Sequence, residues 1–249
     1  MKNIKVEQSG RITKIMINRE KSTNPLNIGT IEEIEEALKD ETRVGVIYGN
    51  NRAFSAGADI SLFLDLTPRD AYDFAQKGHD VMNFIQTRKM PVIAAIHGFA
   101  LGGGFELALA CDYRIAHPST VFGLPEITLG VLPGFGGTQR LLRIAGEGLA
   151  FDMISRGRKI SAQEALSYGF INEVNENYLD RAMEVAREYE SLPVEALASI
   201  KELIRKAPDS GFELEKEYFA NLFSTDNQKE GARAFLEKRK ANFNQRQES

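Results

Sequence analysis

The sequence predicts an α/β fold that ends in a helical region, and three observations carry that expectation. Short apolar runs bounded by Gly, Pro or Asn recur through the first two-thirds, as at Val44 to Tyr48 and Pro91 to Ile96. Segments with helical spacing alternate with them. From Leu179 onward the pattern is almost entirely helical, down to FLEKRKANFNQRQES. The chain therefore divides into a mixed core, residues 1–178, which carries the candidate site, and a helical region, residues 179–249.

Taken in order, Lys5 to Val6 and Ile12 to Ile17 read as strands joined by a turn at Ser9-Gly10. Ile12, Ile15 and Ile17 alternate only in part. Asn18 to Asn27 is a polar loop. Ile28 to Lys39 has Ile31, Ile34, Ala37 and Leu38 at helical spacing, with Thr30 as the expected N-cap and Glu33 three residues on. Val44 to Tyr48 is a strand, and NNRAFSAGADI, beginning at Asn50, contains a glycine turn. Arg69 to Lys89 is helical, with Pro68 suited to its first turn.

Pro91 to Ile96 is a buried strand, and an apolar helix starts near Phe105 after three glycines. Beyond Arg114 the pattern breaks up. Thr120 to Phe122 is a short strand, Pro133 to Gly137 a loop, and Thr138 to Ala145 a short helix. Ser161 with Glu164 forms a capping box for a helix to Tyr168, with Gly169 at its C-terminal end. Ile171 to Val174 is the last strand.

Composition excludes several function classes. The chain has 249 residues, 43% of them hydrophobic and 27% charged, with a net charge of −4. That charge disfavours bulk nucleic-acid binding. No run of about 18 apolar residues suggests a membrane span. The single cysteine, Cys111, follows LALA and reads as a buried thiol that fits a reducing compartment. MKNIKVEQSG has no apolar targeting segment, so a cytoplasmic location is expected. His79, His97 and His117 lack zinc-ligand spacing. His97 beside Gly98 reads as a turn residue.

The chemistry concentrates between Met90 and Leu142. Gly102, Gly103 and Gly104 let the backbone approach a ligand, and their N–H groups sit where a developing oxyanion would need donors. The run is no phosphate loop, because Leu107 occupies the last glycine position of the nucleotide pattern and no Gly-Lys-Ser/Thr follows. Glu106 falls in the first helical turn, where the macrodipole favours a negative charge. Glu106 and Glu126 are two acids on separate turns, as acid/base work on one substrate requires. Burial and mutual repulsion would split their pKa values into one acid and one base. Spacing alone leaves open whether they meet.

ALGGGFELALACD and FGLPEITLGVLPGFGGTQRL closely resemble the signature segments of the enoyl-CoA hydratase/isomerase family, the crotonases, and the resemblance extends over nearly the whole chain. It implies the crotonase fold, a core of repeated β-β-α turns with a C-terminal helical region used in trimerisation, and a homotrimer or homohexamer. It also implies that Glu106 and Glu126 are catalytic, and that the backbone N–H groups of Ala58 and Gly103 form the oxyanion hole. The expected reaction is addition of water to a trans-2-enoyl-CoA, without metal or redox cofactor. The alternative is a Δ3-Δ2-enoyl-CoA isomerase relying mainly on Glu126.

Coenzyme A contacts are expected from Arg19, Lys21, Ala56, Asp59, Ile60, Gly134 and Lys238. Ser61 stands where many members carry a lysine that touches coenzyme A, which removes one ionic contact. Phe63, Leu64, Phe84 and Phe135 are expected to shape the acyl pocket. Two other classes fit less well. A non-catalytic RNA-binding member would show a broken acid pair or a basic face, and a serine peptidase would need a serine in the glycine turn.

Overall fold

A turn at Gly10 folds β1 (Ile4–Ser9) antiparallel onto β2 (Ile12–Ile17). The computed structural model describes residues 1–19, 23–50, 52–60, 66–205, 219, 221–222 and 224–243. Helix α1 (Ile28–Ala37) leads to β3 (Val44–Gly49), and α2 (Pro68–Thr87) to β4 (Val92–Ile96). Next come β5 (Phe99–Leu101), α3 (Gly103–Ala110), β6 (Tyr113–Ala116) and β7 (Val121–Gly123). Helices α4 (Gly137–Ala145) and α5 (Glu147–Ser155), strand β8 (Lys159–Ser161), helix α6 (Ala162–Ser167) and strand β9 (Glu173–Val174) complete the mixed part. Helices α7 (Tyr178–Glu190), α8 (Val194–Ile204) and α9 (Asp226–Leu236) follow.

Two sheets result. The larger has the strand order β1-β2-β3-β4-β6-β9, parallel except for the first pair. The smaller has the order β5-β7-β8. In the larger sheet Ile15 lies beside Ile47, Ile47 beside Ala94, and Ala94 beside Arg114. These strands are covered on both faces, which is why they read as nearly continuous apolar runs. One core gathers Ile15, Ile17, Ile47 and Ile96 with residues of α1, α2 and α3. The other gathers Ile12, Val46, Ile93 and Ile115 against Ala182, Val185 and Ala186 of α7. The imperfect alternation in β2 thus has a physical cause: Ile12 belongs to the second core, and Ile15 and Ile17 to the first.

Several boundaries differ from the sequence expectation. Asn27, not Thr30, caps α1: its side chain accepts the Thr30 N–H, while Thr30 is buried in the first turn. Glu33 instead accepts the N–H groups of Lys2 and Asn3, tying the N-terminus to the helix. Helix α2 is capped by Thr67 and Asp70 in a capping box ahead of Pro68. Helix α3 begins at Gly103 rather than Phe105. The capping box of Ser161 and Glu164 forms as expected, and Gly169 follows in the left-handed region at φ 76°. Among the described residues, no helix is long and apolar enough to cross a membrane.

A buried charge cluster fastens α8 to the core. Asp112 accepts the Val92 N–H at 2.8 Å and pairs with Lys201 and Arg205, each at 2.7 Å. Lys201 is 7% exposed, so its charge depends on this carboxylate for compensation. Arg88 is fully buried and donates to the carbonyls of Asp40, Arg43 and Met90, fixing the end of α2 next to β4. Asp112, just after α3, is tied to the first residue of β4.

Candidate active site

The glycine run assembles the site by close backbone approach. Gly102 adopts φ 50° and ψ −129°, a conformation that a side chain disfavours, and its N–H donates to Gly123 O on β7 at 2.9 Å. A Cβ on Gly104 would lie 2.5 Å from Ser55 O, so only glycine lets α3 start against the segment before Ala58. That segment runs alongside β5: Phe54 N–H donates to His97 O, and Leu101 N–H to Ser55 O. The pairing brings Ala58 beside Gly103, where a Cβ on Gly103 would be 3.7 Å from Ala58 N. Among the described residues, neither the Ala58 nor the Gly103 N–H has a protein acceptor. The second is one of the orphan donors of a helix N-terminus.

Glu106 stands in the first turn of α3 and is 2% exposed. Its Oε1 accepts two N–H groups from the loop that opens α4, Phe135 at 2.9 Å and Gly137 at 2.7 Å. Burial pushes its carboxyl up to about 7, and the Glu126 charge pushes the same way. The two N–H donors and Arg140 pull in the opposite direction. Glu126 begins a 3-10 turn, Glu126–Leu129, that ends on Gly130 in the left-handed region. Its Oε1 would lie 2.9 Å from a Cβ on Gly102. Its Oε2 is buried without a hydrogen-bond partner among the described residues. Burial raises this carboxyl too, to about 7.

The expectation of one raised and one ordinary carboxyl is thus replaced by two raised ones. Burial raises both carboxyls, and the charge of Glu126 adds to the rise at Glu106. With one of them protonated and the other ionised, the two can serve as acid and base.

Both carboxyls open onto a cavity of about 1210 Å³, which Ala58 and Gly103 also line. The rest of its described wall is apolar, including Phe74, Phe135, Ile127, Leu129 and Leu132. Phe135 is locked in place: its ring lies 5.1 Å from that of Phe74, and a Cβ on Gly78 would fall 1.9 Å from it. The cavity suits an apolar chain attached to a polar group that needs two N–H donors and two carboxyls. Among the described residues, no group of three or more His, Cys, Asp or Glu side chains could hold a metal ion.

The other expected contacts fall in different places. Ile60 and Gly134 line the cavity. Arg19 pairs with Asp59 at 2.9 Å and also donates to Pro25 O. The Ala56 N–H donates to Thr23 O. Lys238 is exposed, at φ 53° just beyond α9. Lys21, Ser61, Phe63 and Leu64 lie outside the described residues. Phe84, expected in the pocket, packs against the core that holds Ile15 and Ile47 and is not among the described residues that line the cavity.

The sequence reading missed three features: the apolar wall from Ile127 to Leu132, Phe74, and the N–H groups that hold Glu106. The run Gly134-Phe-Gly-Gly137 was the available signal, since such a loop leaves its backbone donors free to face a side chain.

In sequence and in fold the chain is similar to known proteins of one family. A family model described as enoyl-CoA hydratase/isomerase matches residues 7–246. The crotonyl-CoA hydratase of Syntrophomonas wolfei is 40% identical over 253 residues, covering 97% of this chain and 97% of that protein. The short-chain-enoyl-CoA hydratase of Clostridium acetobutylicum is 38% identical, covering 96% and 97%. A crystal structure of enoyl-CoA hydratase from Bacillus anthracis superposes with a TM-score of 0.90 at 37% identity, covering 97% of this chain and 98% of that one.

Proposed function

This chain belongs to the enoyl-CoA hydratase/isomerase family and has its crotonase fold, and from that premise we propose that it is an enoyl-CoA hydratase working with two glutamates and a backbone oxyanion hole. The observation that carries the reading is the meeting of Glu106 and Glu126 on one cavity, each held near pH 7. A carboxyl poised near the working pH serves as acid or base with least cost.

The substrate is a trans-2-enoyl-CoA. Its thioester oxygen sits between the N–H groups of Ala58 and Gly103, and its acyl chain lies along the apolar wall. Glu106, ionised, takes a proton from water as the oxygen attacks C3. Negative charge moves through the conjugated system onto the thioester oxygen, where the two N–H groups stabilise it. Glu126, protonated, delivers its proton to C2. One water adds across the double bond and no electrons leave the system, so the step is redox-neutral. The product is a 3-hydroxyacyl-CoA. Proton exchange with solvent then restores ionised Glu106 and protonated Glu126.

Coenzyme A is proposed to run past Ala56, Asp59, Ile60 and Gly134, with Arg19, Lys21 and Lys238 near its phosphates. Assembly as a homotrimer or homohexamer is part of the same reading.

The test is to give the purified protein crotonyl-CoA and, separately, a 3-enoyl-CoA. Loss of the conjugated-thioester absorbance with crotonyl-CoA, with formation of the 3-hydroxy product, supports the hydratase. Formation of the conjugated thioester from the 3-enoyl substrate, without hydration, assigns the chain to the isomerases instead.

A further inference from the structure

Arg140 lies on the far side of the loop that holds Glu106 and is 7% exposed. Its guanidinium donates to Phe135 O at 2.6 Å, to Gln86 Oε1 at 2.9 Å and to Asn83 Oδ1 at 3.0 Å. Asn83 and Gln86 stand three residues apart on α2, so they share one helix face. The guanidinium also fills the space beside Gly136, where a Cβ would lie 2.2 Å from one of its nitrogens. The carbonyl it holds belongs to Phe135, whose N–H, together with that of Gly137, donates to Glu106 Oε1. Arg140 thus grips this short loop on one side while Glu106 reads it on the other.

We propose that Arg140 is a positioning residue for Glu106: anchored on Asn83 and Gln86, it fixes the Phe135–Gly137 loop so that two backbone N–H groups aim the Glu106 carboxylate at the cavity. A planar fork bound to three partners gives this loop one orientation, which a flexible point charge would not. The inference rests on the reading of Glu106 as the base.

The charges around the pair come from several elements. Glu106 feels Glu126 from the 3-10 turn and Arg140 from α4. Arg140 in turn feels Glu106 and Cys111, and also Arg143 on α4 and Arg205 at the C-terminal cap of α8. The ring of His79 on α2 faces Gly136. Removing the Arg140 charge removes a side-chain cation that favours ionised Glu106.

The experiment compares wild type, Arg140→Gln, Arg140→Lys and the double variant Asn83→Ala with Gln86→Ala in crotonyl-CoA hydration across pH, with Glu106→Gln as reference. Loss of orientation at a reacting group costs up to about 100-fold in rate. Arg140→Gln is expected to lower kcat by about 10- to 100-fold with little change in KM, and to move the acidic limb of the pH profile to higher pH. Arg140→Lys keeps the charge and loses the fork, so its limb stays near the wild-type position while kcat still falls. The double variant leaves Arg140 charged but unanchored, and should lose kcat with the limb unmoved; it carries the test if Arg140→Gln does not fold.

A kcat within twofold of wild type in both Arg140→Gln and the double variant overturns the proposal, as does an Arg140→Gln variant whose slower rate comes with an unmoved limb. Failure of the underlying reading is separate, because Glu106→Gln would then hydrate crotonyl-CoA at a near-wild-type rate.

Discussion

The Glu106 carboxylate accepts the Gly137 N–H at 2.7 Å, joining residues that are 31 positions apart in the chain. This contact links the first turn of α3 to the first residue of α4. It holds a carboxylate inside an apolar core with backbone dipoles rather than with a counter-ion alone. The acid is thereby kept oriented, yet burial still raises it to about 7.

That balance sets a pH dependence of stability. An unfolded glutamate releases its proton near 4.5, whereas folded Glu106 keeps it to about 7. In that window the folded state binds more protons, so the contribution of Glu106 is present at low pH and lost as pH rises to 7. Glu106→Gln does not titrate. Relative to wild type it should gain up to about 3 kcal/mol between pH 4.5 and pH 8, read from urea denaturation at several pH values. A difference that is constant with pH would refute the raised carboxyl.

Gly103 offers a test of the oxyanion hole. A Cβ there would lie 3.3 Å from two carbons of the Phe135 ring and 3.7 Å from Ala58 N. Gly103→Val places still more bulk in the same space and displaces the donor pair. The expected loss is about 10²–10³ in kcat. Steady-state kinetics on crotonyl-CoA measures it, and a kcat within threefold of wild type would remove Gly103 from the role.

Lys201 tests how the helical region is fastened. Lys201→Ala removes a buried cation 2.7 Å from Asp112 and leaves that carboxylate to Arg205 and the Val92 N–H. Breaking a buried pair costs about 3 kcal/mol. A loss of that size in unfolding free energy, read as a lower denaturation midpoint, is expected, and an unchanged midpoint would show that Arg205 alone suffices.

Much of this architecture was legible in the sequence because it is local. The Ser161 and Glu164 box, the strand at β4 and the turn at Gly10 each depend on residues within a few positions of one another. The strands β5, β6 and β8 and the helix α5 went unread, since the strands are three or four residues long and gain their meaning from partners elsewhere. Thr30 carried the usual cap chemistry, but Asn27 stands where the chain enters the helix, and tertiary burial took Thr30 into the core. For the site, residue type suggested Glu106 and Glu126, and only the fold brings them to one cavity. The raised state of both acids follows from burial, which spacing does not encode.

The measurement that bears most directly on the two-glutamate account is crotonyl-CoA hydration by wild type beside Glu106→Gln and Glu126→Gln, followed by the loss of conjugated-thioester absorbance. The account predicts rapid hydration by wild type and its near abolition in each variant. Hydration by Glu106→Gln at a near-wild-type rate would contradict it.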